Sequence, residues 1–139
     1  MSKPNGVQNL YTLLEMPPEA LQNYVQAEFT ITIPVSIETT EDLRDAIEIL
    51  GKATSFFSFL SNAALYAKLQ KRKLKREKAD KEMVEDALAR EEIFTNAAGV
   101  AKAVYNGVSR MVTIKQMLNS ELKMTDSFSG GKNDRFREA

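Results

Sequence analysis

Cysteine, histidine and tryptophan are all missing from this chain. Without thiols there is no disulfide framework and no thiolate nucleophile. Without imidazole there is no zinc-finger ligand set and no histidine acid–base chemistry. Carboxylates, lysines, tyrosines and hydroxyls remain, and they form no recognisable catalytic constellation. The chain therefore reads as non-enzymatic, with no cofactor and no metal. Glu82, Glu85, Asp86, Glu91 and Glu92 do cluster, and helical spacing brings Glu82 near Asp86. A di-metal site also needs a second carboxylate helix with a matching i, i+3 pattern, which the chain lacks. An unpaired acidic face is the simpler reading.

Long hydrophobic runs are missing too. The longest uncharged stretch, ATSFFSFLSNAALYA at residues 53–67, is shorter than the roughly 18–20 apolar residues of a membrane span. The opening MSKPNGVQNLY has no basic start followed by an apolar run, so no secretory signal is expected. No membrane partner is expected, and the absence of cysteine fits the cytoplasm.

At 43% hydrophobic the 139 residues can form one domain with a core, although a chain of this size buries only about two-thirds of its unfolded surface. The net charge is zero, from 19 basic and 19 acidic residues. Their distribution is uneven, and that matters more than the total.

Residues 1–24 read as an N-terminal arm. VQNLYTLL suits one or two helical turns, and Pro17 and Pro18 suit the opening of a short helix. VQAEFTITIPVSIE, residues 25–38, then alternates Val25, Ala27, Phe29, Ile31, Ile33, Val35 and Ile37 with mostly polar neighbours. That is the period of a half-buried β-strand. Only one such strand is legible, and a lone strand is not stable. Either the arm supplies a second strand within a monomer, or the strand pairs with its counterpart in another copy. The second option is the expectation here.

From Glu38 to about Lys123 there is no proline. Thr39 or Thr40 can cap a long helix, with Glu41, Asp42 and Asp45 in its first turns. Two apolar stripes follow on that helix. Leu43, Ile47, Leu50, Thr54, Phe57 and Ala64 mark one; Ile49, Ala53, Phe56, Leu60, Ala63 and Ala67 mark the other. A helix apolar on two sides needs cover on two sides. Apolar spacing returns at Ile93, Ala97, Val100, Val104, Val108, Met111, Leu118 and Leu122 as a heptad-like, coiled-coil seam. Close helix approach would account for Gly99 and Gly107 within it.

The expected fold is mostly α. Long antiparallel helices form a helical hairpin, with one N-terminal β-strand pairing between subunits. The helical domain is 25–124, with helices about 40–94 and 96–123 and a break near 95; a flexible tail occupies 125–139. Phe29, Ile31, Ile33, Val35, Ile37, Val104, Val108 and Met111 are the candidate oligomerisation residues.

KLQKRKLKREK carries Lys68, Lys71, Arg72, Lys73, Lys75, Arg76 and Lys78 with a single acid. Such a run can contact phosphates of a nucleic-acid backbone. It can equally be a solvated face paired with the acidic run that follows, if the chain turns near 77–80. Phe56, Phe57, Phe59 and Tyr66 have the spacing of core packing rather than base stacking. Phe128 and Phe136, with Lys132, Arg135 and Arg137, could form a short docking motif or plain disorder.

ALYAKLQKRKLKREK and the later VYNGVSRMVTIKQM resemble the recombination mediator proteins of T4-like bacteriophages. The resemblance covers a few positions in two helices, under half of the chain. It implies a helical homo-oligomer that binds single-stranded DNA and helps to load a recombinase, in the cytoplasm of an infected host. On it, Arg110 and Lys115 join Lys68, Lys71, Arg72 and Lys75 as phosphate contacts. The expected function is single-stranded nucleic-acid binding, accessory to recombination or replication. The alternative is a protein–protein module: a virion or scaffold component, or an inhibitor or adaptor.

Overall fold

The structure, a computed structural model, describes residues 9–129, with side chains to residue 120. Helix α1 spans Leu10–Leu13, α2 Pro18–Glu28, α3 Thr40–Arg76 and α4 Lys81–Ser129. The fold is mostly helical. Helices α3 and α4 pack against each other along an antiparallel hairpin, and α2 lies against α4. The expected break near residue 95 is not found, since Thr95 and Asn96 lie inside α4, and the chain turns at 77–80 instead. Helix α4 also takes in residues 125–129 of the expected tail; residues 1–8 and 130–139 lie outside the described residues.

No strand occurs among the described residues, so the strand expected at 25–38 is corrected. Its first part is the end of α2. Pro18 sits at the helix start, and Leu21 and Val25, one turn apart, are both buried. The Phe29 N–H still donates to the Val25 carbonyl at 3.0 Å. Beyond Thr30 the chain runs without regular structure, bent at Val35, to the start of α3 as a strap. Ile31 and Ile37 settle on a cluster of Ala46, Ala53, Val104, Val108 and Val112 from the hairpin. On either side of Pro34, Ile33 and Val35 face solvent, Val35 at 98% exposure. The alternating residues therefore do not share one covered side: Val25 to Glu28 is helical, and of the four apolar residues that follow, Ile31 and Ile37 rest on the helix pair while Ile33 and Val35, at a bend, turn outward. The expected β pairing between subunits loses its basis.

The chain runs from the hairpin turn down one side of the α3–α4 pair, first as α2 and then as the strap. It reverses into α3 at the far end. Two clusters form the core. Near the turn, Leu13, Leu14, Leu21 and Val25 meet Leu60, Ala63, Ala67, Phe94 and Ala98. Towards the open end, Ile37 closes over Ala46, Ala53, Val104, Val108 and Val112. Ala53, Leu60, Ala63 and Ala67 of the second α3 stripe are buried. The first stripe is covered only in part: Leu43, Leu50 and Ala64 are half-buried against the clusters, while Ile47 and Phe57 are exposed. On α4 the buried line is Phe94, Ala98, Ala101, Val104, Val108 and Val112, turned by one residue from the seam read in the sequence. Val100 and Leu118 of that seam are exposed. No atom lies within 4 Å of where a Cβ would stand at Gly99 or Gly107, so close approach within the chain does not explain them.

Helix α3 starts on a capping box. The Thr39 hydroxyl accepts from the Asp42 N–H at 3.0 Å, and Asp42 Oδ2 accepts from the N–H groups of Glu38 and Thr39. These backbone donors, Glu38 first, hold the Asp42 carboxyl below its ordinary value of 3.8. A depressed carboxylate pKa stabilises the fold above the ordinary value, and the benefit is lost as pH falls through the folded-state pKa. Asp42→Asn should therefore lower the melting temperature at pH 7. The gap to the unsubstituted chain should shrink in melts run below pH 4; a constant gap would remove the charge from the account.

Candidate nucleic-acid interface

The basic run lies on the last turns of α3, at the hairpin tip. The tip is closed by a Schellman turn: Ala79 N–H donates to the Leu74 carbonyl at 3.0 Å, and Lys78 N–H to the Lys75 carbonyl at 3.1 Å. Lys78 takes the left-handed conformation, φ 55°, that this motif requires and that glycine usually fills. A charged residue there is tolerated at a cost of about 1 kcal/mol.

The turn brings the basic and acidic runs onto facing helices, and one ion pair crosses between them. Lys71 Nζ lies 2.8 Å from Glu91 Oε1, both side chains about four-fifths buried. Lys71 is thus committed within the chain. Lys68, Arg72, Lys73, Lys75, Arg76 and Lys78 are exposed, and among the described residues none has a carboxylate within 4 Å. Their charges point into water from the α3 side of the tip, while Glu82 and Glu85 lie exposed on α4.

Arg110 and Lys115 do not join them. They sit on α4 beside the first turns of α3, about 35–45 Å from Arg72 at 1.5 Å per residue. Arg110 is exposed and Lys115 half-buried.

The tip is held by a polar latch. Arg90 Nε donates to the Met16 carbonyl at 2.7 Å, and its Nη1 donates to Gln70 Oε1 at 3.3 Å. Gln70 Nε2 donates in turn to the Leu14 carbonyl at 3.2 Å. One residue from each long helix so binds the Leu14 and Met16 carbonyls in the connection between α1 and α2. Burial pushes the Arg90 guanidinium below its usual value, against the opposing pull of Asp86 and Glu15. Nothing in the apolar spacing pointed to Arg90 or Gln70; both stood among charged and polar neighbours like any surface residue.

The aromatic residues divide. Phe29 packs edge-on to Phe56 at 4.8 Å and stacks on Phe59 at 5.6 Å, which makes these rings core. Phe57 and Tyr66 are exposed. The side chains of Phe128 and Phe136, and Lys132, Arg135 and Arg137, lie outside those described. Of the oligomerisation candidates, Ile37, Val104 and Val108 are buried within the chain, Phe29, Ile31 and Met111 are half-buried, and Ile33 and Val35 are exposed. A groove of about 330 Å³ opens between α2, the strap and α4, with Val25, Phe29, Ile31, Val100 and Val104 on its walls and Asn96 on its rim. No charged residue lines it.

Among the described residues no group of three or more acidic side chains could hold a metal ion, and no helix is long and apolar enough to cross a membrane. No protein-family model matches the chain, and neither a curated protein nor a solved structure does.

Proposed function

We propose that this protein is a non-enzymatic homo-oligomer that binds single-stranded nucleic acid through the α3 side of its hairpin tip, as an accessory to recombination or replication in a phage-infected cell. The observation that carries the binding reading is the row of six exposed cations, Lys68, Arg72, Lys73, Lys75, Arg76 and Lys78, with no acid against them among the described residues. A phosphate backbone carries closely spaced negative charge, and neutralising it with such a row releases its condensed counterions. The resemblance to phage recombination mediators supplies the accessory role. Arg110 and Lys115, far from the tip, are left out of the contact.

Binding to a single-stranded oligonucleotide should weaken with salt, with a log–log slope near −3 to −4 for about five phosphate contacts. Changing Arg72, Lys75 and Arg76 together to Glu should raise Kd at least a hundredfold, while far-UV circular dichroism stays unchanged. Lys71 is spared because its loss would break the pair with Glu91. No binding at low salt, or binding that the triple variant keeps, overturns this reading. Complete absence of binding would leave the charged tip to a protein partner.

A further inference from the structure

The face of α4 turned away from α3 is exposed along its whole middle. It carries Leu88, Glu92, Asn96, Gly99, Ala103, Asn106, Arg110 and Ile114, every one of them exposed. Their spacing is four, four, three, four, three, four and four residues, which keeps them on one side of a 3.6-residue helix. The same spacing reads identically in reverse, and so does the chemistry. About Ala101 as centre, Leu88 mirrors Ile114, Glu92 mirrors Arg110, Asn96 mirrors Asn106, and Gly99 mirrors Ala103. Apolar stands for apolar, acid for base, amide for amide and small for small.

We infer that this face binds a second copy of the same chain, with the two α4 helices antiparallel about a two-fold axis opposite Ala101. An isologous contact requires a self-complementary patch, and these eight positions meet that requirement in polarity, charge and size. Glu92 and Arg110 lie eighteen residues apart, five full turns, so both point along the centre of the face. The axis sets each Glu92 against the partner copy's arginine, giving two ion pairs. A parallel pairing would set Glu92 on Glu92 and Arg110 on Arg110. Gly99, Ala103 and the open space at Gly99 let the backbones approach at the axis. Leu88 and Ile114, exposed at 40% and 50%, close the two ends. The contact runs about 40 Å along one helix pair, the low end of specific interfaces, so a micromolar Kd is expected. The inference is independent of the nucleic-acid reading, because the tip takes no part in it.

Sedimentation of the intact chain, without nucleic acid and at about 100 μM, well above such a Kd, should give twice the chain mass of 15.6 kDa. Glu92→Arg and Arg110→Glu should each raise the dimer Kd at least tenfold. The double swap, E92R with R110E, should restore dimerisation, because it rebuilds both pairs with their signs exchanged. Phe57→Glu, at an exposed position of α3, should leave the dimer intact. A monomer at that concentration overturns the inference. So does a dimer indifferent to both single swaps, or one lost on Phe57→Glu but kept on Glu92→Arg, which would assign the contact to α3.

Discussion

Phe94→Ala should cost about 3–5 kcal/mol of folding stability, the largest loss expected from any single truncation in this chain. Phe94 is the largest fully buried side chain. It enters the cluster where α1, α2 and both long helices meet. The residues across from it on α3 are Ala63 and Ala67, both fully buried. Small residues there make room for the ring, and for the same reason they cannot reach into the space it would leave. A cavity that cannot collapse is the costly kind. Against a total of 5–15 kcal/mol for a domain of this kind, the loss should lower the melting temperature by roughly 10–15 °C. Phe94→Leu keeps most of the volume and should cost only about 1–1.5 kcal/mol. Leu65→Ala, at a residue 53% exposed, should fall within about 0.5 kcal/mol of no effect. If thermal melts of Phe94→Ala and Leu65→Ala coincide, the cluster does not hold the fold together as described.

Arg90→Met should cost about 2–3 kcal/mol, the usual range for hydrogen bonds made by a charged donor. Methionine preserves the reach and much of the volume, so the loss measures the donors. It strands the Met16 carbonyl, bound at 2.7 Å, and Gln70 Oε1. Gln70→Leu alone should cost less, because Arg90 keeps its shorter bond to Met16. The two losses should not add. A double-mutant cycle in urea should return a coupling of about 1 kcal/mol, since Gln70 and Arg90 serve the same α1–α2 connection. A coupling of zero would separate the latch into two unrelated contacts. The latch has a further signature, because it anchors the arm to both long helices. Arg90→Met should raise hydrogen exchange across α1 and the start of α2 first, leaving the middle of the hairpin protected.

Much of this architecture was legible in the sequence. Thr39 and Asp42 announced the start of α3, the charge change after Lys78 located the turn as one of two options, and the alanine-bearing stripe of α3 proved to be the buried one. The misreadings share a cause. Steps of three and four residues trace the α4 seam through Ile93, Ala97, Val100 and Met111. Burial follows fit, and the line facing α3 runs one residue on, through Phe94, Ala98, Ala101 and Val112. Phe94 stands one residue off that spacing, among the polar neighbours Glu91, Glu92, Thr95 and Asn96. Between residues 25 and 37 the alternation marks no single element: its first turn belongs to α2, and beyond it only Ile31 and Ile37 find the helix pair, while Ile33 and Val35 stay in solvent. Arg90 and Gln70 were invisible because a polar latch depends on which carbonyls end up nearby. The candidate tip was legible as a basic run, yet the commitment of Lys71 to Glu91 needed the turn to be placed.

Helix α4 alone, with 49 residues, extends about 70 Å at 1.5 Å per residue. A rod of that length has a radius of gyration of about 20 Å, against about 14 Å for a rounded body of the same chain length. The protein is a rod, and rods experience more drag than globules of equal mass. A single copy will leave a sizing column early and pass for something heavier. Retention volume therefore misreports stoichiometry for this shape, and counting subunits requires a method that weighs particles rather than one that measures their girth.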